Sequence, residues 1–100
     1  MNATKPRAVG LVVLTAIVLA AVGPAAAYTG QELAGDAKIT IDQARAIALK
    51  AHPGRITDEE LEREDGRSGL RYTFSVDTDS GVQELGVDAA TGQVLENSPD

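Results

Sequence analysis

The stretch Ile39-Thr40-Ile41-Asp42-Gln43-Ala44-Arg45-Ala46-Ile47-Ala48-Leu49-Lys50-Ala51-His52-Pro53-Gly54 reads as one helix with both ends written into it. Thr40 is the N-cap: its hydroxyl can accept from the Gln43 N–H, and Gln43 can reach back to the Thr40 N–H. That is a T-x-x-Q capping box. Asp42 in the first turn suits the positive end of the helix dipole, and Lys50 suits the negative end. Pro53 has no N–H, and its ring disfavours helical geometry at His52, so the helix stops there. Ile41, Ala44, Ile47, Ala48 and Ala51 share one face at helical spacing, with Asp42, Arg45 and Lys50 off it. So narrow and alanine-rich a face can approach another surface closely.

Downstream the chain reads as strands. Gly66-Arg67-Ser68-Gly69 is a turn, and Leu70 to Asp77 alternates strictly. Leu70, Tyr72, Phe74 and Val76 fall on one face; Arg71, Thr73, Ser75 and Asp77 fall on the other. Thr78-Asp79-Ser80-Gly81 has turn chemistry, and Val82 to Asp88 returns with Leu85 and Val87 inward. Asp88 can accept from backbone N–H groups two or three residues on, and Gly92 can take the left-handed conformation, so residues 88–92 form a tight turn. Gln93 to Glu96 is a last short strand, and residues 97–100 are expected to be disordered. Between helix and sheet, Arg55 to Asp65 is ambiguous. Thr57-Asp58-Glu59-Glu60 could open a second helix, but its only large apolar residues are Ile56 and Leu61. As a strand it puts Thr57, Glu59, Leu61 and Arg63 on one face and Ile56 on the other. The strand is the reading adopted. The expected fold is α+β: one helix packed on a small antiparallel meander with one apolar face.

Upstream, Lys5 and Arg7 precede an uncharged run from Val9 to Val22, then Gly23-Pro24-Ala25-Ala26-Ala27. A basic start, an apolar middle, a breaker and an A-x-A site form a signal peptide, residues 1–27, cut after Ala27 to leave Tyr28 first. The competing reading is a membrane anchor, since roughly nineteen uncharged residues, 9–27, can just span a bilayer. Residues 28–38 carry no period and read as a flexible leader to a domain at 39–96. Losing Lys5 and Arg7 takes the formal charge from −6 to −8, because no acid lies in that segment. Such a charge argues against nucleic acid and anionic membrane surfaces as partners. The chain has no cysteine, which excludes a disulfide or a lipid at the export junction.

Catalytic constellations are missing from the sequence. His52 is the single histidine, and a C-terminal position beside Pro53 suits it to the helix dipole. Neither a zinc site nor a Cys-His pair can be built around it. Asp77-Thr78-Asp79-Ser80-Gly81 is close to a calcium loop, but its glycine comes one place early, and a hairpin turn accounts for it. The acidic run is the one candidate surface. Asp58, Glu59, Glu60, Glu62 and Glu64, with Asp65, either keep an edge strand solvated or dock a basic partner or divalent cations.

The helix from Ile39 to Gly54, the acidic strand Glu60 to Gly66, Tyr72-Thr73-Phe74-Ser75-Val76 and the ending Val87-Asp88-Ala89-Ala90-Thr91-Gly92-Gln93-Val94-Leu95 together resemble a PepSY domain. The resemblance covers residues 39–96 in the family's order. It implies a helix on an antiparallel sheet and a strand at Ile56–Glu64. It also implies an inhibitory or regulatory action on proteases, with no catalytic residue to carry over and no cofactor. The expected departure from the family's propeptide setting is that no peptidase follows the module. The expected function is an exported, non-enzymatic interaction module, periplasmic or secreted, whose partner is an envelope or secreted protein such as a peptidase. The alternative is an envelope protein that binds a small ligand or divalent cation on the acidic strand.

Overall fold

The computed structural model describes residues 27–100. The expected signal segment, including Ala25 of its cleavage motif, lies outside the described residues, while Ala27 and Tyr28 fall within them. One α-helix, α1 (Ile41–Ala51), is followed by β1 (Arg55–Arg63), β2 (Leu70–Thr78), β3 (Gly81–Asp88) and β4 (Val94–Pro99). The strands form one sheet in the order β1-β2-β3-β4, antiparallel throughout. The fold is thus the expected α+β meander with a helix on one face.

Local chemistry starts and stops α1. Thr40 Oγ1 accepts from the Gln43 N–H at 3.1 Å, and Gln43 Oε1 accepts from the Thr40 N–H at 2.8 Å. His52 is the C-cap, its N–H donating to the Ala48 carbonyl. Ala44 and Ala48 are fully buried, and such small side chains let the helix lie close on the sheet. Beneath it Leu61, Leu70, Tyr72, Phe74, Val76, Leu85 and Val87 form the core. Burial of this apolar surface is the main driving term, at about 25 cal/mol per Å². The Tyr72 and Phe74 rings stack, with centroids 6.4 Å apart. Tyr72 also donates its hydroxyl to the Ile39 carbonyl at 2.8 Å, tying sheet to helix start. Ala51, expected on the buried face, is exposed in the last turn, and Ile41 and Ile47 are half-buried.

A bulge settles the facing of β1. Ile56 pairs with Val76, Asp58 with Ser75 and Glu59 with Phe74, so Thr57 is the extra residue. The bulge turns Ile56 inward with Glu59 and Leu61, where strict alternation would have sent it to the opposite face.

Two expectations of disorder are corrected. The leader at residues 28–38 is a strap folded against the sheet, with a 3-10 helix at Gln31–Asp36. Thr29 forms a parallel bridge to Glu60, and its carbonyl accepts from the Leu61 N–H at 2.8 Å. Tyr28, Leu33 and Ala37 pack on the core, Arg63 pairs with Asp36 at 2.7 Å, and Lys38 and Ile39 both donate to the Ala89 carbonyl. At the other end β4 starts one residue later than expected and runs through Asn97 and Ser98 to Pro99. Pairing with Gln83, Glu84 and Leu85 orders Asn97 to Pro99, where disorder is expected from the sequence.

Candidate functional site

With α1 on one face of the sheet, the other face has no layer over it among the described residues. Alternation along β1 and β2 puts Asp58, Glu60 and Glu62 there, beside Arg71, Thr73 and Ser75. Asp77 of β2, Glu84 on β3 and Glu96 on β4 complete a mostly acidic surface. Two bases share it: Arg55, which pairs with Asp77 at 3.3 Å, and the far less exposed Arg71. Arg71 Nη2 donates to Glu96 Oε1 at 2.7 Å, its Nη1 lies 3.7 Å from Glu64 Oε1, and its Nε lies 3.9 Å from Glu62 Oε2. Only 18% of its side chain is exposed, so three carboxylates hold it down across the strands. Gly86, between Arg71 and Glu96, leaves the room: a Cβ there would stand 2.7 Å from Arg71 Nη2. Nearby, Ser75 donates to Glu84 Oε2 at 2.7 Å, fixing a second carboxylate on the same face.

The acidic run is therefore divided. Asp58, Glu60 and Glu62 belong to the open face, and Glu64 joins them just past the end of β1 through Arg71. Asp65 is exposed in the following turn. Glu59 faces the other way, towards the helix. It accepts from Arg45 through both carboxylate oxygens, Nε to Oε2 and Nη2 to Oε1 at 2.8 Å, while Arg45 Nη1 also reaches Asp42 at 2.7 Å. The hydrogen bond to Glu59 is the main reason the guanidinium is held even more firmly protonated than usual. With side chains 26% and 17% exposed, Arg45 and Glu59 close the rim of the core between α1 and β1. Beside them a polar groove of about 580 Å³ runs along Ile56 to Glu59, walled by Ala27 and by Tyr28 and Thr29 of the strap.

The turn after β3 is built on Asp88, which is 3% exposed. Its Oδ1 accepts from the Ala90 and Thr91 N–H groups at 2.8 and 3.0 Å, and its Oδ2 from the Ser68 N–H at 3.4 Å. Burial raises the pKa of the carboxyl, but the bonds from Ala90, Ser68 and Thr91 outweigh it and hold the group below its ordinary value. Gly92, at φ 80°, returns its N–H to the Asp88 carbonyl and lies under Ile47 of α1. Pro53 and Gly54 carry the chain from α1 to β1. Gly54 sits where a Cβ would meet the Asp77 carbonyl oxygen at 2.6 Å, so helix and hairpin end approach closely. These residues are structural. Tyr72 likewise serves the core: burial, and then the neighbouring Tyr28 phenol, pushes its hydroxyl pKa up.

Among the described residues no group of His, Cys, Asp or Glu is disposed to hold a metal ion, and no helix is long and apolar enough to cross a membrane. Arg71, Arg45, Glu84, Gly86 and Glu96 do not stand out in the sequence as site residues. A glycine inside a strand was the available signal, since it marks close approach of another group.

Among the described residues, one α-helix on a four-stranded antiparallel sheet, with an open and mostly acidic second face, defines a small α+β module. Residues 38–97 match the family described as peptidase propeptide and YPEB domain, and the chain belongs to this PepSY family. No curated protein and no solved structure matches the chain.

Proposed function

We propose that this chain is an exported, non-enzymatic regulatory module, periplasmic or secreted, that docks another envelope or secreted protein on the open face of its sheet. A protease is the partner class that the family favours. The observation that carries the reading is the face left open among the described residues: Glu62, Glu64 and Glu96 already neutralise Arg71, and Asp58, Glu60 and Glu84 lie further along the same face. A basic partner surface meets net negative charge there, and its docking speeds with charge and weakens with salt. The cation-binding alternative is weaker because Glu59 commits both carboxylate oxygens to Arg45.

The test is capture by the chain starting at Tyr28, against a variant with Glu60 and Glu84 changed to Lys. A saturable partner from envelope extract should bind the first and not the second. Finding none at micromolar concentration, with the protein folded, overturns the reading. Calorimetric titration with calcium and magnesium decides the alternative, which requires binding that disappears with Glu60→Gln and Glu62→Gln.

A further inference from the structure

The bond expected to be cut on export, Ala27–Tyr28, lies where the strap enters the fold. Tyr28 is half-buried on the core, and its carbonyl accepts from the Gln31 N–H at 3.2 Å. Thr29 is bridged to Glu60 on the outer edge of β1. Gly30 then turns at φ 86°, so close to β1 that a Cβ would fall on the Leu61 carbonyl oxygen. Leu33 on the core and the Arg63–Asp36 pair fasten the far end. The residues immediately after the bond are thus part of the sheet edge, with no free spacer between them and the domain.

We infer that the seated strap shields the Ala27–Tyr28 bond, so that removal of the signal segment is confined to chains whose strap has not docked or has reopened. This rests on the export reading above. A peptidase needs the residues on both sides of the bond extended in its own cleft, and Tyr28 and Thr29 cannot be there and on the domain at once. Cleavage then tracks the population in which the strap is open. The reaction is hydrolysis: one water is consumed, Ala27 leaves with a carboxylate, and Tyr28 keeps an ammonium. The same strap covers part of the exposed edge of β1, where an uncovered strand would invite pairing with other chains. Early cutting and late docking therefore produce one product, a domain with its first residue tied down.

The experiment compares full-length chains in detergent micelles, each treated with a purified membrane signal peptidase. The chains are the native sequence, Gly30→Ala, Leu33→Ala and the core-disrupted Phe74→Ala. Gly30→Ala removes the close approach to Leu61, and Leu33→Ala weakens the strap while sparing its backbone. Cleavage of the folded native chain should be slower than that of Phe74→Ala by about tenfold or more, with Gly30→Ala and Leu33→Ala in between. Exchange of the Leu61 amide, whose partner is the Thr29 carbonyl, should speed up in the same order and report strap opening even if Gly30→Ala loosens the whole domain. Equal cleavage of the native chain and Phe74→Ala overturns the inference and leaves the export reading standing. Failure to cut any chain, Phe74→Ala included, overturns both.

Discussion

The guanidinium of Arg71 lies across the bare backbone of Gly86: a Cβ on Gly86 would stand 2.7 Å from Nη2 and 3.0 Å from Cζ. This lets an arginine on β2 cross β3 and bond Glu96 on β4. Gly86→Ala should push the guanidinium away while leaving the fold intact. Relief of unfolded-chain entropy by about 0.4–1 kcal/mol opposes the lost ion pair. The net change should therefore stay within about 1 kcal/mol. The coupling between Arg71 and Glu96, about 0.5–1 kcal/mol in a double-mutant cycle, should vanish in the variant. Urea melts of the eight combinations of Gly86→Ala, Arg71→Ala and Glu96→Ala measure it, and persistent coupling would refute the crossing.

Adjacent acids on β1 should behave differently. Glu59→Gln weakens a two-pronged, charge-assisted contact to Arg45 at the rim of the core and should cost roughly 1–3 kcal/mol. Glu60→Gln, on the open face, should change stability by no more than about 0.5 kcal/mol. Thermal melts in low and high salt distinguish them. Equal effects would place both acids on one face, against the alternation that pairs Glu59 with Phe74 and Glu60 with Thr73.

The bulge at Thr57 shows what the sequence could and could not disclose. The ends of α1 depend on Thr40, Gln43, His52 and Pro53, all local, and the alternation of Leu70 to Asp77 is equally local. Both are legible in the letters. The strap is held by backbone bonds to Leu61 and Ala89, far along the chain, and its 3-10 turn leaves no helical period to read. Asn97 and Ser98 look like a tail because their side chains are polar, yet main-chain pairing with Leu85 and Glu84 places them in the sheet. The division of the acidic run is legible too, since plain alternation sets Glu59 on the face of Leu61 and Glu60 on the other; the extra residue Thr57 changes only where Ile56 points.

Asp88 gives the domain an acid-sensitive turn. Its folded pKa is depressed, so the stabilisation is fully present above the unfolded value of about 3.9 and is lost as pH falls through the folded one. Asp88→Asn keeps an oxygen for the Ala90 and Thr91 N–H groups but removes the charge and sets an amide donor near the Ser68 N–H. Above about pH 5 the variant should be less stable by roughly 1–2 kcal/mol, with the gap closing below about pH 4. Denaturant melts at pH 7 and pH 3 supply the comparison. A gap unchanged at pH 3 would show that charge has no part in the turn.

The last expectation concerns Phe74, the only phenylalanine, which is 1% exposed beneath α1 and pairs with Leu85. Replacing it with alanine removes a large buried surface and leaves a cavity that strands on both sides cannot close. The cost should be about 3–5 kcal/mol. A single small core without disulfides stands at or below the usual range of about 5–15 kcal/mol, so Phe74→Ala should be largely unfolded in buffer. Thr73, its neighbour, points to the open face and makes no comparable contact. Thr73→Ala should shift stability by only about 0.5 kcal/mol. Urea titrations of the chain from Tyr28 onward give both values. Comparable damage from Thr73→Ala would mean that the face read as open is covered, and docking on that face would fail with it.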